Sequence, residues 1–289
     1  MEPDYKIGFE NGDISPFAHV QAENVECEVE PEEVSLRHYK VKDYLNNHIW
    51  DDGGRLDRRV RRALVDIADD FWESCGVRWV RPSGVILTGS MCNYNWNEFS
   101  DIDLHIVVDF SKIHANKEFV QEYFDDKKNE WNDSHSGIEM YGFPVEVYVE
   151  DIGADRVSAG VYDLWTDKWI KTPEKGSVKP IMLNKYSIKK VSADIMTEID
   201  ELCDEIEGSD DKDVASEIGV KAEQLLDKIK GIRKIGLKDG EGGSGNIVYK
   251  VLRNLGYLDK LWKLSDKCYD TEMSVGGSKT FEESIRRAF

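Results

Sequence analysis

The stretch Ile86–Phe110, "ILTGSMCNYNWNEFSDIDLHIVVDF", decides how this chain is read. Gly84 to Leu87 is a short apolar run that ends at Thr88-Gly89-Ser90, the pattern of a strand entering a turn. Asp101 to Val108 predicts a second strand, and Asp101 and Asp103 sit one residue apart inside it. Side chains alternate along a strand, so both aspartates project to one side while Ile102 and Leu104 project into a core. Their backbone positions are about 6–7 Å apart, within reach of a shared ion. Two like charges this close repel and tend to take up protons unless a cation compensates them. A hard divalent ion with oxygen ligands does so, and Mg²⁺ commonly binds one or two carboxylates together with substrate phosphates.

A third carboxylate stands in the later apolar segment "VEVYV", where Glu146 faces away from Val145, Val147 and Val149. If this strand pairs beside the Asp101–Val108 strand, Glu146 points at the same spot. Glu150 shares its parity but lies about 13 Å further along an extended chain, so Glu146 is the preferred ligand. Asp101, Asp103 and Glu146 are thus the candidate catalytic and metal-binding residues. Two Mg²⁺ ions about 3.5–4 Å apart, with Mn²⁺ as a substitute, then activate an attacking oxygen and stabilise a leaving pyrophosphate. Gly89 lets a backbone approach a phosphate closely. The Ser90 hydroxyl and nearby N–H groups supply donors to phosphate oxygens. His105 shares the parity of the aspartates and reads either as a substrate contact or as a packed histidine. Aromatic Tyr94 and Trp96 in the spacer either cover a nucleotide or pack against the first helix.

Working outward, apolar residues from Leu56 to Trp72 recur at helical spacing and predict a helix over 56–74, with Arg58, Arg59, Arg61 and Arg62 on its other faces. Residues 116–131 predict a second helix. "SGIEMYGFPVEVYVED" reads as a hairpin with Gly142 to Pro144 as its turn, and "GVYDLWTDKWIKTP" as another with Thr166-Asp167 at its tip. After about residue 185 the pattern becomes helical. Three apolar stripes run through Val191–Ile206, Val214–Ile232 and Ile247–Trp262, and the loop "GLKDGEGGSGN" separates the last two. Lys250 and Arg253 lie near the start of the third stripe, where a helix N-terminus and cations suit a triphosphate. Capping and a solvated basic face account for them equally. The expected architecture is α+β: an N-terminal extension over residues 1–50, read as short strands or as an ordered extension, a mixed β-sheet flanked by helices over 51–185, and a helical domain over 186–289.

The chain has 289 residues, 40% of them hydrophobic and 33% charged, the balance of a globular protein. No apolar run approaches the roughly 18 residues that a membrane span needs, so no membrane partner is expected. The polar, acidic start "MEPDYKIGFENGD" lacks the features of a secretory signal and predicts a cytoplasmic protein. Five well-separated cysteines without a CxxC pair suit a reducing compartment. A net charge of −19 repels long polyanions on average and favours small substrates or a protein partner.

Gly89-Ser90, ten residues, Asp101-Ile102-Asp103 and a later strand acid at Glu146 together resemble the signature of the nucleotidyltransferase superfamily typified by DNA polymerase β. The wording of the stretch is also similar to nucleotidyltransferases encoded by large tailed phages, in which case the compartment is the host cytoplasm. The resemblance covers roughly residues 84–150. It implies a small mixed sheet flanked by helices, two-metal nucleotidyl transfer from a nucleoside triphosphate, and a helical partner domain. Glu146 departs from the aspartate more common at the third position. The acceptor expected is a small nucleotide or a protein hydroxyl, with tRNA left open. Two other functions fit the same residues: a catalytically silent nucleotide- or protein-binding module of antitoxin or counter-defence type, and a toxin that modifies tRNA.

Overall fold

The computed structural model describes residues 29–176, 178, 185–207, 209 and 211–275, which form an α+β protein with two compact units. One unit takes the described residues of Leu36–Leu183 with Gly236–Gly243, and it contains the sheet. The other takes the described residues of Asn184–Ile235 and Ser244–Phe289 together with those up to Ser35. The boundary read at residue 50 therefore falls inside the sheet unit. Of the two readings of that segment, short strands or an ordered extension, the described residues favour the second: they make turns and one isolated bridge, Trp50 to Leu56. The rest of that expectation lies outside the described residues.

Six strands, β1 (Gly84–Thr88), β2 (Ile102–Val108), β3 (Glu139–Met140), β4 (Phe143–Asp151), β5 (Val161–Asp163) and β6 (Lys168–Lys171), form one mixed sheet in the order β3-β4-β2-β1-β5-β6. Only β2 and β4 pair in parallel. Two helices, α1 (Arg58–Ser74) and α2 (Lys117–Ser134), cover one face. Helix α1 starts where the Asp57 carboxylate accepts from the Arg59 and Val60 amides, and α2 where Asn116 accepts from Phe119. Val60, Leu64, Ala68 and Phe71 of α1, with Val120 and Phe124 of α2, meet Leu87 of β1, Ile102, Leu104 and Ile106 of β2, and Val145 and Val147 of β4. The even positions of β2 and the odd positions of β4 thus enter one core, and the opposite parity is left for the other face.

The first hairpin turns earlier than its sequence suggests. Tyr141 and Gly142 both have positive φ, 54° and 84°, the backbone of a two-residue turn whose twist matches the strands it joins. Pro144 lies within β4, opposite Glu139.

The helical unit contains α3 (Lys185–Glu207), α4 (Lys212–Gly236), α5 (Ser244–Asn254) and α6 (Tyr257–Met273), with α3, α5 and α6 packed together. The stripe expected to be one helix is two. The chain leaves α5 through Gly256, whose φ of 80° no continuing right-handed helix allows, and Leu255 of that stripe is exposed. No helix among the described residues is long and apolar enough to cross a membrane.

Leu104 is fully buried between α1 and the sheet, so Leu104→Ala is expected to lose about 2–5 kcal/mol of stability. Leu255→Ala, at an exposed position, is expected to change it by no more than about 0.5 kcal/mol. Urea unfolding followed by tryptophan fluorescence measures both.

Candidate metal centre

The parallel pairing of β2 with β4 sets Asp103 directly beside Glu146, and the antiparallel pairing of β1 with β2 sets Thr88 on the other side of Asp103. Asp101 immediately precedes β2 and shares the parity of Asp103. One carboxylate oxygen from each of Asp101, Asp103 and Glu146 lies within 4.8 Å of the others, and all three residues are half-buried. An all-oxygen, triply anionic set at this spacing can hold a hard divalent cation. The three acids singled out in the sequence are therefore brought together on one face, at the carboxyl end of β1.

Gly89 closes the other side of this cluster. Its backbone, φ 73° and ψ −163°, lies in a region that essentially only glycine adopts. A Cβ built there would stand 1.7 Å from Asp103 Oδ2. The turn thus approaches the aspartate as closely as a backbone can, which explains the residue type at position 89. Ser90 behaves differently from its reading as a phosphate donor. The short 3₁₀ turn Ser90–Cys92 carries it inward, it is only 6% exposed, and its hydroxyl is hydrogen-bonded to Ser100 Oγ at 2.9 Å. Ser100 Oγ also accepts from the Asn97 amide, so Ser90 ties the two ends of the ten-residue spacer together. Within the spacer, Trp96 packs against Tyr44 and Phe143, and its Nε1 donates to the Tyr44 carbonyl.

A second row on the same face consists of His105 and Tyr148, paired across β2 and β4 and stacked at 4.8 Å. The Tyr148 hydroxyl donates to Glu146, fixing the direction of that carboxylate. Burial pushes the Tyr148 hydroxyl far above the ordinary phenol range, and the negative charges of Asp103, Glu146 and Asp101 add to the effect, so the phenol stays protonated as a donor. Beyond it, Glu150 accepts from His105 Nδ1 at 2.8 Å and from Arg156 at 2.5 Å. Burial alone would raise the Glu150 carboxyl, but the hydrogen bonds and positive charge of His105 and Arg156 outweigh it and leave it below the usual glutamate range. His105 is thus a packed, paired histidine, and Glu150 belongs to this outer ion pair, apart from the three-carboxylate cluster.

Lys250 and Arg253, both half-buried, belong to α5 in the helical unit. Arg59 and Arg61 of α1 are engaged locally, Arg59 with Asp57 and Tyr141 and Arg61 with the Leu164 and Trp165 carbonyls. Three residues that bear on the site are not singled out in the sequence: Tyr148, Arg156 and Glu241. For Tyr148 the signal is its strand parity with Glu146. For Arg156 and Glu241, which act from loops, no sequence period carries the information. No family model matches the chain, and no curated protein or solved structure matches it at a significant level.

Gly89→Ala is expected to lower stability by at least about 1–3 kcal/mol, from backbone strain alone, before the clash with Asp103 is added. A urea midpoint measures it. The depressed Glu150 carboxyl contributes stability that is present above the unfolded glutamate pKa of about 4.3 and is lost as pH falls through the lower folded value. Glu150→Gln should therefore lose less stability than the wild type between pH 6 and pH 3, measured as the shift in urea midpoint.

Proposed function

We propose that the protein is a divalent-metal-dependent nucleotidyltransferase with a nucleotidyltransferase-like sheet, moving a nucleoside monophosphate from a nucleoside triphosphate to an acceptor hydroxyl and releasing pyrophosphate. The observation that carries this reading is the convergence of Asp101, Asp103 and Glu146 within 4.8 Å, against a turn whose glycine abuts Asp103. The donor set fits Mg²⁺, with Mn²⁺ as a substitute, because all three ligands are hard oxygens. When bound, two such ions supply charge neutralisation at the triphosphate and activation of the acceptor oxygen.

The chain's own residues have separable tasks. Asp101 and Asp103 would hold both ions, and Glu146 the one on the acceptor side. Tyr148 orients Glu146 through its donated hydrogen bond. Gly89 lets the turn lie directly against Asp103, where any side chain would collide with the carboxylate. Ser90 shapes the turn through Ser100. In the transfer, the acceptor oxygen bonds to the α-phosphorus as the bond to the bridging oxygen of pyrophosphate breaks, and the hydroxyl proton leaves to solvent or a carboxylate. Lys250 and Arg253 are assigned to triphosphate binding on charge alone. A net charge of −19 favours a small nucleotide or a protein hydroxyl over tRNA as acceptor.

The double substitution Asp101→Asn with Asp103→Asn is expected to reduce pyrophosphate release from NTPs and Mg²⁺ by at least about 10³-fold, since it removes several kcal/mol of transition-state stabilisation. The melting temperature should stay within a few degrees. Turnover unchanged in that protein refutes the reading, and nucleotide binding without pyrophosphate release in the wild type assigns it to a binding module.

A further inference from the structure

The glycine-flanked loop Gly236–Gly243 belongs to the sheet unit, and it delivers one acidic side chain, Glu241, into a ring of donors. Glu241 Oε2 accepts from Asn95 Nδ2 at 2.9 Å and from Asn93 Nδ2 at 3.3 Å. Oε1 accepts from the Ala159 amide at 3.4 Å and lies 2.9 Å from Ser158 Oγ, whose single proton is shared between it and the Gly160 carbonyl, also at 2.9 Å. The donors come from two distant segments held in register. Gly89 N–H donates to Ser158 Oγ at 3.1 Å, and Lys171 Nζ donates to the Ser158 carbonyl at 2.8 Å. Gly160 lies so close to the Cys92 carbonyl that an added Cβ would stand 1.8 Å from its oxygen. The ring is therefore built by the fold of the sheet unit, from the spacer after Ser90 and the segment before β5.

We propose that this ring is a phosphate subsite, that Glu241 occupies it as a built-in stand-in for a phosphoryl oxyanion, and that a triphosphate binds by displacing it.

Three observations support the assignment. The Asn93 and Asn95 amide nitrogens and the Ala159 N–H all donate to the carboxylate, and the Ser158 hydroxyl can turn its proton to it from the Gly160 carbonyl, which is the chemistry of an oxyanion seat. The Asn95 amide is held there by Glu241, while its Oδ1 is buried without a hydrogen-bond partner, so nothing at that end of the amide competes with the anion for its orientation. Glu241, Asn93, Ala159 and Lys171 also line a cavity of about 400 Å³, large enough for a nucleotide fragment.

The seat also lies beside the carboxylate cluster. Gly89 joins the two, touching Asp103 on one side and donating to Ser158 on the other. The buried Cys92 thiol is pushed up by its burial and then by the charges of both Asp103 and Glu241. A carboxylate placed here, in a protein of net charge −19, is repelled by the acids nearby and is retained by its donors. A phosphate that displaces it removes that carboxylate from the seat and offers the same donors more acceptor oxygens than a carboxylate has. Ligand binding then competes with the closed loop, and the measured affinity falls by the fraction of molecules in which Glu241 is out of the seat. The inference rests on the proposed transferase only for the identity of its ligand.

The test is calorimetric titration of inorganic tripolyphosphate into the full chain in EDTA, with ATP and citrate as parallel ligands. Glu241→Ala and the isosteric Glu241→Gln are expected to bind tripolyphosphate and ATP about tenfold or more tightly than the wild type. Adding Asn93→Ala and Asn95→Ala to either should return binding to the wild-type level. If both single variants are folded by circular dichroism and bind no more tightly than the wild type, the latch is refuted. An equal gain for citrate overturns the assignment to phosphate. Because no metal and no turnover enter this measurement, a protein inactive as a transferase can pass it. An active transferase whose variants bind like the wild type fails it.

Discussion

The register between β2 and β4 is the constraint on which the rest depends. Ile102, Leu104 and Ile106 face Val145, Val147 and Val149 in one apolar layer under α1 and α2. Because side chains alternate, burying that layer forces Asp103 and Glu146 side by side on the opposite face. A one-residue slip would carry Glu146 into the core and an apolar neighbour into the cluster. The hydrophobic effect on one face thus enforces the crowding of carboxylates on the other.

That crowding is electrostatically unfavourable, and the protein handles it by neighbours of different kinds. Tyr148 stays protonated and donates to Glu146. Further along the strands, where the same parity continues, Glu150 is satisfied by His105 and Arg156. The cluster at the Gly89 end keeps three acids in one place, as a cation-binding site requires. The proposed transferase draws its chemistry from that convergence.

The same turn has a second side. Gly89 abuts Asp103 with its α-carbon and donates its N–H to Ser158, which in turn contacts Glu241. Acids suited to cations and donors suited to anions are therefore separated by one glycine. In the proposed reading a metal-bound phosphate presents both signs, and the carboxylate of Glu241 reproduces only its anionic half.

Much of the local architecture was legible in residue order: helices α1 and α2, strands β1 and β2, and the shared side of Asp101 and Asp103 follow from periods of 3.6 and 2, whereas Glu146 joins them only through the pairing of β4 with β2. Turn and break positions were less so, because Tyr141 takes a positive φ that its residue type disfavours and Gly256 interrupts an apolar stripe that continues on both sides of it. The inward Ser90 hydroxyl and the seating of Glu241 on Asn93 and Asn95 were not legible at all. By itself the sequence determined which side of each strand its acids occupy, since parity is a property of neighbouring residues along one chain. Tertiary structure alone decided which strands pair, where the spacer turns its hydroxyl, and which distant carboxylate fills the donor ring. Those outcomes depend on contacts between segments as much as 148 residues apart, whose free energy no local pattern records.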